Sequence, residues 1–374
     1  MALKLVHTAD WHLGKRFPGF SETQQNTLTR ARLDVLDKVF GEADKCAADA
    51  VLCAGDLFDE PAPSPVWWEG LLKRLSKTNP QRKIFLLPGN HDPLLGSSVW
   101  AQGHAFRVGL PKHVYVVERK NSEFELGPNA VLYASPCQSQ AGQEDLALAL
   151  PAREPGDTRI RIGMVHGSTF DIPGFQTNFP IAQDAAVRRG LDYLAVGDTH
   201  AFRMVPPGAV VPTVYPSAPE PTTFAEREAG YLALVFIRTS RTARVERVAV
   251  ANWRWEEACV RSLDELRGIA NRPDLSRCVL RLAVEMRVPA AEYEEAEQLL
   301  VQLAGTEADH PLVGVLALDR SGLRLDTNSV AQVLAGMPEA VRAAAERLMA
   351  QQHAHPQAVE RALYHLYSLS RQEL

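Results

Sequence analysis

Short apolar runs recur along the first two thirds of the chain, and each is cut off by a glycine or a polar residue. Leu5-Val6, Val51-Leu52-Cys53, Ile84-Phe85-Leu86-Leu87, Ile162-Gly163-Met164-Val165 and Tyr193-Leu194-Ala195-Val196 have the length of buried strands. Between the early ones the period changes. Residues 21–50 place Leu28, Val35, Leu36, Val39, Phe40, Ala43 and Ala47 on one face, and residues 66–77 do the same with Val66, Trp67, Leu71 and Leu75. Both stretches predict amphipathic helices. Strand–helix–strand–helix–strand is the signature of a layered α/β domain. Shorter alternating runs at 113–117, 131–134, 210–215 and 231–237 predict a second sheet packed on the first, with helices outside.

From about Trp253 the texture changes. The pattern predicts a strand near Cys259, a helix over Leu263–Ala270 capped by Ser262, a strand over Cys278–Val288, a helix over 292–304 and a strand over 312–318. The remaining residues read as three helical pieces: 329–335, one opened by Pro338 and one opened by Pro356. Val341, Ala345, Leu348 and Met349 lie on one side of the second piece, and Val359, Leu363, Leu366 and Tyr367 on one side of the third. The expected organisation is a large α/β domain over 1–252, a small α/β domain over 253–326 and a helical region over 327–374.

Five predicted strands of the large domain deliver chemistry. The runs lead into Asp10-Trp11-His12, Gly55-Asp56-Leu57-Phe58-Asp59, Gly89-Asn90-His91-Asp92, His166-Gly167 and Gly197-Asp198-Thr199-His200. Asp, Asn and His are oxygen and imidazole ligands for divalent metals. Any one of these signals alone is weak, since a lone Asp-x-His is usually a cap or turn and a lone His-Gly a satisfied core histidine. Five in order, each after a strand, point to a metal site. His7, His104, His113, His310, His353, His355 and His365 fall outside the motifs and read as ordinary surface or core residues. Trp67-Trp68 reads as helix packing rather than a base-stacking platform, because Trp67 is in phase with the apolar face.

Composition limits the alternatives. The chain has 374 residues, 46% hydrophobic and 23% charged, as expected of a globular protein with a large core. Five scattered cysteines, Cys46, Cys53, Cys137, Cys259 and Cys278, form no CxxC pair, which favours reduced thiols in the cytoplasm over disulfides or structural zinc. Lys4, His7 and Asp10 interrupt the N-terminal apolar stretch, so no signal peptide is expected, and no run approaches the ~18 residues of a membrane span. A net charge of −5 means that any nucleic-acid contact must use local cations. Lys15, Arg16 and Arg203 directly follow the motifs and are the candidates for DNA binding, with solvated surface charge as the alternative.

The order of the motifs resembles the calcineurin-like metallophosphoesterase superfamily, and more narrowly its SbcD-type DNA repair nucleases. His7-Thr8-Ala9-Asp10-Trp11-His12-Leu13-Gly14 is similar to the first motif of that branch, and Tyr215-Pro216-Ser217-Ala218-Pro219-Glu220-Pro221 to its segment after the last metal motif. The small α/β domain stands where those enzymes carry a DNA-capping domain. The resemblance implies a two-sheet β-sandwich flanked by helices around two divalent ions, manganese first and magnesium as the alternative. It implies that Asp10, His12 and His200 hold one ion, that Asp56 bridges, that Asn90, His166 and the residue at 198 hold the other, and that His91 faces the scissile phosphate. A carboxylate is the ligand able to bridge ions ~3.5–4 Å apart, the spacing that clamps an in-line phosphoryl displacement. Asp59 and Asp92 are read as partners that orient histidine ligands, with capping and turn roles as the alternative.

One departure stands out. Where the superfamily usually has Gly-His-x-His, this chain has Gly-Asp198-Thr199-His200. Asp198 either ligates the second ion, favouring hard metals, or only orients a neighbouring histidine. The leading expectation is a metal-dependent DNA nuclease in end processing and repair, working with DNA, an SbcC-type coiled-coil ATPase and a second copy of the chain. The tail helices are expected either to enter the ATPase's groove or to pack on this chain. The competing functions are a phosphatase or small-molecule phosphodiesterase, and a DNA-end-binding scaffold with weakened catalysis.

Overall fold

A computed structural model describes residues 2–169, 177–238, 241–305 and 312–372, so His310 lies outside the described residues. Two compact units divide after Trp253. In the first, the elements run β1 (Leu3–Thr8), α1 (Glu22–Lys45), β2 (Ala50–Cys53), α2 (Pro65–Leu75), β3 (Lys83–Leu86), α3 (Ala105–Val108), β4 (Val114–Val116), β5 (Ser122–Gly127) and β6 (Ala130–Ala134). They continue with β7 (Ile160–His166), α4 (Ala185–Arg188), β8 (Tyr193–Gly197), β9 (Phe202–Val205), β10 (Thr213–Pro216), β11 (Tyr231–Ile237) and β12 (Ala243–Ala249). The strands form two six-stranded sheets, β12-β11-β1-β2-β3-β4 and β5-β6-β7-β8-β10-β9. β1 to β4 are parallel, as are β6, β7, β8 and β10. The fold is therefore a two-sheet sandwich flanked by helices.

Alternation along the strands explains the layers. In β2, Ala50 and Leu52 share a core with Leu132, Ile162 and Ala195 of the other sheet, while Val51 and Cys53 face Val35, Leu36 and Val39 of α1. In the second sheet Val131, Val165 and Leu194 pack against Ala185 and Ala186 of α4. Strands buried on both faces read as unbroken apolar runs, which is why these were legible.

Helix α1 starts in a capping box: Gln24 N–H donates to Ser21 Oγ at 3.4 Å and Ser21 N–H to Gln24 Oε1 at 3.1 Å. It ends at Lys45, short of the expected face member Ala47, which is exposed and turns the chain with φ +49°. Val66 likewise leaves the predicted apolar side of α2, being 57% exposed. Leu71 and Leu75 are buried there, and Trp67 and Trp68 pack half-buried on the same core.

The second unit contains β13 (Arg254–Val260), α5 (Leu263–Ala270), β14 (Cys278–Val288), α6 (Ala290–Ala304), β15 (Val315–Leu325), α7 (Thr327–Ala335), α8 (Glu339–Met349) and α9 (Pro356–Gln372). Its three strands form a parallel sheet, β13-β14-β15. The last strand starts and ends later than the pattern predicted. The tail helices are not a separate region. Ala290 and Leu325 supply a floor on which Val330, Leu334, Ala345, Val359, Leu363 and Tyr367 bury themselves, with Val341, Leu348 and Leu366 packed at the margin. Of the four residues expected to face a partner, Leu363 is buried on this chain, while Val341, Leu348 and Leu366 are half-buried.

Candidate metal centre

Parallel strands end at the same edge, so the loops after β1, β2, β3, β7 and β8 meet there, at the seam between the sheets. Backbone bonds fix the loops to one another. Asp10 N–H donates to the Gly55 carbonyl at 3.0 Å, His12 N–H to the Asp56 carbonyl at 3.0 Å, and Gly167 N–H to the Gly197 carbonyl at 3.2 Å. Asp10, His12 and Asp56 all adopt left-handed backbone, at φ +56°, +43° and +52°. Such residues cost of order 1–3 kcal/mol each and gather where side chains must be aimed. Gly55 and Gly89 leave the room: a Cβ on Gly55 would stand 2.2 Å from His166 Nδ1, and one on Gly89 2.1 Å from Asp56 Oδ1.

Three sets of side chains converge so that their ligand atoms lie within 4.8 Å of one another: Asp10, His12 and His200; Asp10, Asp56 and His166; and His12, Asp56 and His91. Asp56 Oδ2 is 3.4 Å from His166 Nε2 and 3.7 Å from His12 Nε2, so it stands between two half-sites. Asn90 Oδ1 joins the second half-site, 2.8 Å from His166 Nε2. Asp198 does not enter any of the three sets. Its backbone N–H donates to Asp10 Oδ1 at 2.9 Å, and its carboxyl, raised by burial and by Asp56, still interacts electrostatically with His166 and His200.

The histidine tautomers suit ligation through Nε2. His166 Nδ1 is 2.9 Å from the Ala54 carbonyl, which can only accept. His12 Nδ1 is 3.1 Å from Asp59 Oδ1, and His200 Nδ1 is 2.8 Å from Glu226 Oε1. Burial would raise Asp59 and Glu226, but bonds to His12 and His200 hold each carboxyl at about 2, so both accept.

The field at the seam calls for a cation. Burial raises the Asp10 carboxyl to about 6, against the pull of His200 and His166. Burial would lower His166, yet Asp56, Asp10 and Asp198 drive it up to about 10, a measure of how strongly this spot favours positive charge. Asp10 is fully buried, and its Oδ2 has no hydrogen-bond partner among the described residues. An unpaired carboxylate oxygen in the interior is costly unless a cation meets it. The donor set therefore fits divalent metal.

Residues 3–202 match the family model described as calcineurin-like phosphoesterase. The chain belongs to that family. Over 209 residues it is 29% identical to the "Uncharacterized metallophosphoesterase YhaO" of Bacillus subtilis (strain 168), an alignment covering 53% of this chain and about half, 48%, of that protein. Over 341 residues it is 22% identical to the "DNA double-strand break repair protein Mre11" of Methanopyrus kandleri, covering 79% of this chain and 73% of the relative. Over 94 residues it is 36% identical to a chain of the SbcCD nuclease of Rhodobacter capsulatus, covering 24% of this chain and 22% of the relative. Members of this family bind divalent metals, and this phosphoesterase presents groups able to do so.

Around the phosphoesterase centre the expected partners divide. Asp59 touches His12 and lies 3.9 Å from His91 Nδ1, whereas Asp92 is bonded to no histidine among the described residues. Asp92 instead accepts the backbone N–H groups of Leu57, Phe58 and Gly89 at 3.0, 3.1 and 2.8 Å, the capping alternative. Lys15 pairs with Asp59 at 3.4 Å, which offsets its charge. Arg16 and Arg203 are exposed.

Two residues escaped sequence reading. Arg32, from the middle of α1 and 1% exposed, donates to the carbonyls of Trp11 (2.7 Å), Asp10 (3.0 Å), Glu220 (2.8 Å) and Pro221 (3.3 Å). Nothing in a helical repeat marks one arginine as buried. Glu226 follows His200 by 26 residues in an irregular segment. The preceding Ser217–Pro221 stretch was the one available signal.

Proposed function

We propose that this phosphoesterase is a metal-dependent DNA nuclease. The observation that carries the reading is Asp56, set between two imidazole-bearing half-sites, each drawing residues from both sheets. Asp10, His12 and His200 would hold one divalent ion, Asn90 and His166 the other, and Asp56 both. Bound there, the ions supply Lewis acidity and activation of water for phosphodiester hydrolysis. The chain's own residues do the rest. His91 is the accessible imidazole, its side chain 44% exposed against 2% for His12 and 0% for His166. Its Nδ1 is 3.2 Å from the Asp59 carbonyl and must donate, which leaves Nε2 to meet the phosphate or the leaving oxygen. DNA as substrate is supported by the names of the Methanopyrus and Rhodobacter relatives, a DNA double-strand break repair protein and a nuclease subunit; manganese as the ion and an SbcC-type ATPase as partner belong to the same proposal. The acidic chain and the offset charge of Lys15 favour, as a second reading, a small phosphodiester or phosphomonoester.

Incubating the manganese-loaded chain with double-stranded ends, single strands and a chromogenic monoester separates the readings. Cleavage of DNA with little monoester turnover is expected, and Asp56→Asn abolishes it. Monoester turnover alone would select the phosphatase, and DNA binding without cleavage the scaffold.

A further inference from the structure

The segment after β10 does more than connect strands. Ala218 N–H donates to the His200 carbonyl at 3.2 Å, and Phe202 N–H to the Glu228 carbonyl at 2.9 Å, so residues 218–228 are laid along the loop that carries His200. From this segment Glu226 reaches His200 Nδ1 at 2.8 Å. Glu226 is itself held: Thr222 N–H donates to its Oε2 at 2.6 Å and the Thr222 hydroxyl to its Oε1. Thr222 is 6% exposed. Arg32 fastens the root of the segment by binding the Glu220 and Pro221 carbonyls with the same guanidinium that binds the Asp10 and Trp11 carbonyls. The loop bearing Asp10 and His12 and the segment bearing Glu226 are thereby pinned to one buried side chain.

We infer that Glu226 is a positioning residue: it fixes the ring rotation and tautomer of His200, so that Nε2 is presented beside Asp10 and His12, and it acts on one of the two half-sites only. A carboxylate on the far nitrogen of a ligating imidazole fixes the tautomer and raises ligand basicity. The inference rests on the metal-dependent reading above. Asp59 serves His12 in the same manner, and sequence reading found it because it lies within a motif; Glu226 is its counterpart for His200.

The test is calorimetric titration of the full chain with manganese, beside long-range ¹H–¹⁵N spectra of the imidazoles recorded without metal. In wild type, two binding events and a His200 ring with hydrogen on Nδ1 are expected. Glu226→Ala should weaken one event by about 10–100-fold, leave the other within about twofold, and mix the His200 tautomers. Glu226→Gln, whose amide oxygen still accepts from Nδ1, should recover most of the affinity and the tautomer. Unchanged titration and tautomer in Glu226→Ala would overturn the positioning role. Equal weakening of both events in Glu226→Gln would overturn it too, marking Glu226 as merely structural. Failure of the wild type to bind two ions would instead defeat the metal reading itself.

Discussion

His12 Nε2 and His200 Nε2 face each other at 3.0 Å across the seam between the two sheets. Both rings donate an Nδ1–H hydrogen bond to a carboxylate, Asp59 and Glu226 respectively. Two nitrogen lone pairs this close repel unless something positive lies between them, a shared proton or a metal ion. The pair is thus arranged for a cation before any substrate arrives.

His91 shares the close set with His12 and Asp56, which raises the question of ligand or catalyst. Its exposure argues for catalyst. His91→Ser should lower kcat by about 10²–10⁴-fold while both manganese ions still bind. Calorimetry together with steady-state kinetics checks this, and loss of one ion would make His91 a ligand.

Asp198 is tied to Asp10 through its backbone, and Asp198→Ala keeps that bond. What the variant loses is a half-buried carboxyl that interacts electrostatically with His166. Affinity for the second ion should drop by about 10–100-fold, with two binding events still measurable. Complete disappearance of one event would mark Asp198 as a direct ligand.

Glu220 is 2% exposed, and burial raises its carboxyl to about 7 despite the N–H groups of Asn252 and Trp253 and the charge of Arg32. A carboxyl raised in the fold favours folding while protonated. Its contribution is complete below the unfolded value near 4.5 and is lost as pH rises through about 7. Glu220→Gln should remove this dependence and gain up to about 3 kcal/mol over wild type at pH 8, with little gain at pH 4. Urea unfolding at both pH values measures it, and equal effects at both would refute it.

Leu363 of α9 is fully buried among Leu325, Val330, Leu334 and Ala345. Leu363→Ala should cost the second unit about 2–5 kcal/mol, and truncation before Pro338 should unfold it, because Leu325, Val330 and Leu334 lose their cover. A truncated chain with an unchanged second unit in hydrogen exchange would free the helices for docking elsewhere.

Much of this was legible because the site's ligands follow strands buried on both faces, whose apolar runs stop abruptly at Gly55, Pro88 and Gly197. Strands β5 and β12 went unseen because half of each faces solvent, with Glu123 and Glu125, or Arg244 and Glu246, breaking up the apolar signal. The helix faces were overextended at Ala47 and Val66, since a periodicity continues past the point where a helix ends or leaves the core. Arg32 and Glu226 were hidden for a different reason. Their importance lies in which carbonyl or imidazole the fold brings opposite them, and no local spacing encodes that.

The seam also has a consequence for how the chain matures. His12 and His200 are 188 residues apart in sequence, and both sets that contain Asp10 need a histidine from the second sheet, His200 or His166. Closing so long a loop is slow and comes late. A chain still being made, or one whose sheets have slipped apart, therefore lacks the assembled centre, and a phosphoesterase built this way gains its site only when both sheets are in place. Captured metal then acts as a clasp on the finished state, worth about 2.7 kcal/mol at a concentration one hundred times its dissociation constant.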